Sequence, residues 1–245
     1  MDSAQDQTYA EFLEARRAVL LSKIAQAAHR SGRDEGDITL LAVSKTVGPE
    51  QVALAHSKGY LTFGENRPQE LRRKVSALMG RPEFADVRFH MIGNLQTNKI
   101  NQVLGNATLI HSVSSAHLAE AISQRAAARG KVARCLLEVN VSGEESKSGF
   151  SPMELPAVAD AVMALDGIAL EGLMTMAPAG DDVAARRTFS GLRDLAEDLR
   201  ARTGLELPVL SCGMSGDFEI AIEEGSTLVR LGRIVFDPSY AVAGE

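Results

Sequence analysis

Ile38-Thr39-Leu40-Leu41-Ala42-Val43-Ser44-Lys45-Thr46-Val47-Gly48-Pro49 is the stretch on which the fold turns. Its first half is a near-continuous apolar run without polar alternation, the pattern of a strand covered on both faces. The run then stops at a lysine. A doubly wound open sheet usually follows its first strand with a glycine-rich phosphate turn. No G-x-G-x-x-G occurs here. That favours a (β/α)8 barrel over the open sheet.

Outward from this run the chain keeps one rhythm. Strand-like runs are predicted at 38–44, 61–65, 87–92, 109–113, 134–141, 168–176, 207–212 and 227–235. Helical stretches fall between them at 49–58, 68–79, 116–129, 152–165 and 184–202, several opened by Pro or Ser at a plausible first turn. Residues 8–31 carry Leu13, Leu20, Ile24 and Ala27 at helical spacing, and Gly32 follows as a stop signal, so an extra helix precedes the first strand. Eight βα units without a Gly/Pro/Ser-rich linker predict one α/β domain over 1–245, a (β/α)8 TIM barrel with an N-terminal helix in 1–32 and a surface tail at 237–245.

Composition narrows the function. The net charge of −6 and the lack of a long basic run argue against nucleic-acid binding by bulk electrostatics, and the absence of Trp removes the best stacking platform. The first residues have neither the basic region nor the apolar core of a signal peptide, and no apolar run is long enough to span a bilayer. A cytoplasmic protein is expected. Cys135 and Cys212 lie in separate apolar runs without metal-ligand spacing, which reads as two core thiols and no metal site. No G-x-S-x-G, H-E-x-x-H or G-x-x-x-x-G-K-[ST] is present.

In a barrel, function gathers at the carboxyl ends of the strands. Lys45 ends the first. There it is either a solvated strand-end lysine or an amine fixed at a pocket, where desolvation favours the neutral nucleophile. Asn66, after the second strand, suits a cofactor hydroxyl or the turn before Pro68. Ser215 precedes an apparent helix start and suits either a phosphate or an N-cap. Arg230, inside an apolar strand, needs a partner: a carboxylate, or a ligand's ring nitrogen. Gly232 lets a backbone N–H approach a ligand closely. His90 reads as a hydrogen-bonded core histidine, Lys147 as an exposed loop lysine, and Gly225-Ser226-Thr227 as a structural turn at the opposite rim.

Several segments taken together resemble the pyridoxal phosphate homeostasis proteins. They are Ala42-Val43-Ser44-Lys45, Phe63-Gly64-Glu65-Asn66-Arg67, and Phe89 through Lys99 with its Gly93-Asn94-Leu95-Gln96. The match continues with Val139-Asn140-Val141, Ser146-Lys147-Ser148-Gly149, Gly172-Leu173-Met174-Thr175-Met176, Gly213-Met214-Ser215 and Gly225 through Gly232. The resemblance implies a barrel like the amino-terminal domain of alanine racemase, with pyridoxal 5′-phosphate (PLP) held as a Schiff base on Lys45. It implies phosphate contacts from Ser215 and from the backbone at Gly232 and Arg233, with Arg230 near the pyridine nitrogen. Arg233 stands where that family commonly has a small hydroxyl residue, so a backbone contact is implied there rather than a side-chain one.

Two functions are compatible with this resemblance. One is a monomeric PLP-binding protein of vitamin B6 homeostasis, without catalytic residues, that delivers the cofactor to PLP-dependent apoenzymes. The other is an amino-acid racemase or related lyase. Racemisation of the alanine racemase type uses a tyrosine from a second domain, whereas Tyr9, Tyr60 and Tyr240 all lie away from strand carboxyl ends. The carrier is therefore favoured.

Overall fold

The computed structural model describes residues 3–242. Eight parallel strands close into a barrel in chain order: β1 (Thr39–Val43), β2 (Thr62–Glu65), β3 (Arg88–Met91), β4 (Leu109–Val113), β5 (Ala133–Glu138), β6 (Ile168–Met174), β7 (Val209–Ser211) and β8 (Leu228–Leu231). Pairing of β8 with β1, with Leu41 opposite Arg230, completes the ring. The helices are α1 (Ser3–Arg30), α2 (Pro49–Ser57), α3 (Pro68–Leu78), α4 (Ile100–Val103), α5 (Ala116–Ala127), α6 (Leu155–Met163), α7 (Asp182–Thr203), α8 (Phe218–Glu223) and α9 (Arg233–Phe236). This is the expected (β/α)8 TIM barrel with an added N-terminal helix. None of its described helices is long and apolar enough to cross a membrane.

Two apolar layers form. The larger lies between strands and helices and includes Phe63, Phe89, Leu71, Ile122 and Phe189, each almost fully buried. The smaller, made of two clusters, fills the barrel itself. Leu41, Val43 and Leu228 pack with Ile92 and Val209, and Val209 also meets Leu109, Leu136 and Met174. Strands that are not neighbours in the sheet, such as β4 and β7, can meet only across this interior. Leu41 and Val43 therefore define the inward row of β1.

The opening helix runs longer than its apolar periodicity predicts, starting at Ser3 rather than near residue 8. Its buried Leu13, Leu20, Ile24 and Ala27 face the core, as the spacing requires. Arg16 is buried among them and donates to the carbonyls of Ile234 and Tyr240, the latter at 3.0 Å. The part of the expected surface tail that is described, 237–242, is thus tied down. Tyr240 and Val242 pack against the core as well.

The last predicted strand is the main correction. It ends at Leu231, not 235, and Arg233–Phe236 forms a helical turn with Ile234, Val235 and Phe236 buried. The apolar stretches on either side of Gly232-Arg233 are too short to carry a period that separates a buried strand from a buried helix, and the break falls at Gly232. β5 and β6 also stop short of the predicted 141 and 176, the polar Asn140 and Thr175 falling in the irregular residues beyond them. At the opposite rim, Ser226 Oγ bonds the carbonyls of Leu210, Cys212 and Leu228, so Gly225-Ser226-Thr227 is a structural turn.

Candidate functional site

Lys45 follows β1 at its carboxyl end. Past the last residue of that strand, the Ser44 N–H still donates to Gly64 O at 3.0 Å, so the extended backbone persists one residue further. Ser44 turns outward: its Oγ donates to Glu65 Oε1 at 2.5 Å, and its carbonyl accepts from Lys74 Nζ at 2.6 Å. Lys45 follows in a turn at the carboxyl end of the strand, at the mouth of the barrel, where it is exposed.

Arg230 occupies the neighbouring strand at 6% exposure. Its Nη1 donates to Ser211 O and Ser211 Oγ, both at 2.7 Å, and its Nη2 to Thr175 O at 3.0 Å. Every one of these acceptors is neutral. Of the two partners open to it from the sequence, a carboxylate is not the one found: among the described residues no ion pair reaches Arg230. Burial lowers its pKa from the ordinary guanidinium value, opposed by the fields of Cys212, Asp217 and Glu138.

Behind Ser211 stands a buried chain that sequence reasoning missed. Ser211 Oγ lies 2.9 Å from His111 Nδ1, and His111 Nε2 lies 2.9 Å from His90 Nδ1. The His111–Ser211 contact joins β4 to β7, so it crosses the barrel interior. Burial holds both imidazoles neutral, with His90 pushed down to about 4 and His111 well below its usual range. His90 is the hydrogen-bonded core histidine expected of it.

Glu138 was missed too. It is 4% exposed at the end of β5, two residues beyond the interior Leu136, and burial raises its pKa against the field of Arg230. One acid in Leu136-Leu137-Glu138-Val139 was the available signal.

The β7–α8 loop carries Ser215. Gly213, at φ +92°, makes the turn, and a Cβ there would meet Ala221 Cβ at 2.6 Å. Ser215 is not an N-cap: α8 starts after Asp217, whose Oδ1 accepts from Met214 N–H at 2.6 Å. A cavity of about 260 Å³ lies beside it, lined by Lys23, Ser215, Gly216, Asp217 and Tyr240. Tyr240 donates its hydroxyl to Ser215 O at 3.4 Å. The tyrosine placed off the strand ends by sequence is thus near one of the rim loops.

Gly232 packs against β1, where an added Cβ would lie 3.5 Å from Val43 Cβ. Arg233 is exposed, its guanidinium 5.7 Å from the centre of the Tyr240 ring. Lys45, Arg230 and Gly232 therefore share the β8–β1 seam. Asn66 stands apart, on the β2–α3 loop, where it lines a cavity of about 200 Å³ with Arg67, Asn94, Gln96 and Lys99. Its backbone is held against Gly93, where a Cβ would come within 2.3 Å of Asn66 O. Lys147 differs from expectation. It is partly buried, bonding Met176 O at 3.2 Å and pairing with Glu144.

Cys135 and Cys212 are buried free thiols, and burial raises them to about 12 and about 11. Among the described residues no group of three His, Cys, Asp or Glu is placed to hold a metal ion.

Residues 20–239 match the family model of the alanine racemase N-terminal domain. A pyridoxal phosphate homeostasis protein from Aquifex aeolicus is 41% identical over 220 residues, covering 89% of this chain and 94% of that protein. Among solved structures, an unknown protein from Bifidobacterium adolescentis superposes with a TM-score of 0.88 at 41% identity, covering 96% of this chain and 97% of that one. PipY of Synechococcus elongatus with PLP bound gives a TM-score of 0.78 at 31% identity, covering 91% of this chain and 99% of that one.

Proposed function

The chain belongs to the pyridoxal phosphate homeostasis proteins, within the alanine racemase N-terminal-domain family, and on that premise we propose that it binds PLP and holds it reversibly on Lys45. The function is intracellular storage and hand-over of the cofactor to PLP-dependent apoenzymes, by a monomer, without catalytic turnover. Solved PipY with PLP bound supports the choice of ligand.

The residues suit that group. PLP supplies a reactive aldehyde, a pyridine ring and a phosphate. Lys45, exposed at the carboxyl end of β1, offers the amine for a Schiff base. Arg230 is a buried cation whose hydrogen-bond partners are all neutral, so an acceptor from a ligand completes it. This is the observation that carries the reading. Ser215 and the backbone at Gly232 and Arg233 bind the phosphate. The Arg233 side chain, beside Tyr240, takes no part. Asn66 orients the cofactor from the β2 side.

Arginine at the ring nitrogen supports binding over turnover. A permanent donor there disfavours protonation of the ring and weakens the electron withdrawal on which amino-acid chemistry depends. The tyrosine hydroxyls have other tasks: Tyr9 donates to Phe236 O at 2.9 Å, Tyr60 to Leu13 O at 3.3 Å and Tyr240 to Ser215 O.

Borohydride reduction after incubation with PLP, followed by peptide mapping, tests the tether. The adduct is expected on Lys45 and lost in Lys45→Ala; an adduct on another residue overturns the assignment. Substantial racemisation of any L- or D-amino acid by the pure protein overturns the carrier reading.

A further inference from the structure

The buried His90–His111–Ser211 chain has a direction that its geometry fixes. Arg230 Nη1 can only donate, so Ser211 Oγ must accept from it at 2.7 Å. Ser211 is fully buried and has one proton to place. If that proton points to His111 Nδ1, 2.9 Å away, His111 carries its own proton on Nε2 and donates to His90 Nδ1, also 2.9 Å away. Reversing the chain would have His111 donate to Ser211 Oγ, leaving the Ser211 hydroxyl proton without an acceptor in a position closed to water. The first arrangement satisfies every shared atom.

Neutrality matters to the same end. Were His111 cationic, both its nitrogens would donate, Ser211 would lose its acceptor, and a second charge would face Arg230.

Resting on the proposed function, we infer that His111, backed by His90, is a positioning residue of the cofactor site: it orients the Ser211 hydroxyl so that Arg230 stays aimed as a donor at the barrel mouth. The cofactor's ring nitrogen then meets a guanidinium already anchored by three hydrogen bonds. The hydrogen-bond partners of His111 are Ser211 and His90, so it acts through Ser211. This role is separate from packing, because an apolar residue of similar volume fills the space but cannot accept the serine proton.

The test has an arm without ligand and one with PLP. In ligand-free protein carrying 15N-labelled histidine, NMR is expected to report His111 and His90 as neutral Nε2–H forms at pH 6. An Nδ1–H signal from His111 reverses the chain and overturns the inference. In the second arm PLP is titrated into wild type, His111→Leu, His111→Asn and Ser211→Ala, following the bound cofactor's absorbance against pH. His111→Leu and Ser211→Ala are expected to weaken binding by about tenfold and to shift the pH profile. Asparagine, whose Oδ1 replaces Nδ1 as acceptor, is expected to restore both. Folded His111→Leu and Ser211→Ala proteins with wild-type affinity and profile overturn the inference alone. A wild type that takes up no PLP overturns the proposed function, and the inference with it, even if the tautomers are as expected.

Discussion

Two polar clusters are buried on opposite faces of the same barrel wall, and they are built differently. On the outer face, Glu65 at the end of β2 pairs with Lys74 of α3, both essentially inaccessible, and Ser44 joins them through its hydroxyl and carbonyl. On the inner face, Arg230 is hydrogen-bonded only to the neutral Ser211 and Thr175, with the histidine chain behind Ser211. The outer cluster contains its own counter-ion. In the inner one no carboxylate of the described residues contacts the cation, and only the more distant fields of Asp217 and Glu138 reach it. A cation that is closed off with its partner anchors a helix to a strand; a cation buried with neutral acceptors only is ready for a ligand. Under the proposed function, this difference rather than exposure is what tells the two clusters apart, since both are almost dry.

Breaking the outer cluster is expected to have the largest effect. Lys74→Met leaves Glu65 charged and unpaired where one of its oxygens, Oε2, already has no hydrogen-bond partner among the described residues. The expected loss is about 3–5 kcal/mol of unfolding free energy, read from urea denaturation. The double variant Glu65→Leu/Lys74→Met removes both charges and is expected to be more stable than Lys74→Met alone. A double variant no better than the single would mean that the pair is not the source of the cost.

The inner face responds instead to pH. His90 binds its proton at about 4 in the folded protein against an ordinary 6.5 for a solvated imidazole, because burial disfavours the imidazolium. Between these values the unfolded chain binds more protons, so stability rises with pH across the window. It is intact above pH 6.5 and declines as pH falls toward 4, by about 3 kcal/mol from His90 alone. His111, shifted the same way, adds to the decline. Urea midpoints at pH 7, 6 and 5 check this before most carboxylates titrate. His90→Leu is expected to flatten the slope; an unchanged slope would place the titrating group elsewhere.

The two clusters were unequally legible in the sequence. Arg230 stood out because an arginine inside Leu228-Val229-Arg230-Leu231 contradicts its surroundings, and Lys45 because an apolar strand stops at it. The barrel followed from the repeated βα rhythm. The histidine chain did not follow, since His111 and Ser211 are 100 residues apart and meet only when β4 and β7 face each other across the interior. Lys74 was hidden differently. In Leu71-Arg72-Arg73-Lys74 it looks like one more solvated cation, and only the carboxylate of Glu65, nine residues earlier, explains its burial. Residues 232–235 were misread because the short apolar stretches flanking Gly232-Arg233 are silent about their period.

The smallest stability effect is expected where the functional one is largest. Arg230→Met removes a buried guanidinium that no carboxylate of the described residues contacts, so the desolvation cost of the charge disappears with its hydrogen bonds. The acceptors it leaves are partly served: Ser211 O still accepts the Thr175 N–H at 3.2 Å, and Ser211 Oγ keeps His111. The methionine chain also recovers apolar contact in the barrel interior. The net change in the ligand-free protein is expected to stay within about 1 kcal/mol, well below that of Lys74→Met. Affinity for PLP in the same variant is expected to fall by tenfold or more, about 1.4 kcal/mol or greater. Equilibrium denaturation and PLP titration of the two variants side by side decide the matter. If Arg230→Met unfolds as readily as Lys74→Met, the inner cluster is a structural anchor like the outer one, and the distinction drawn from their charges fails.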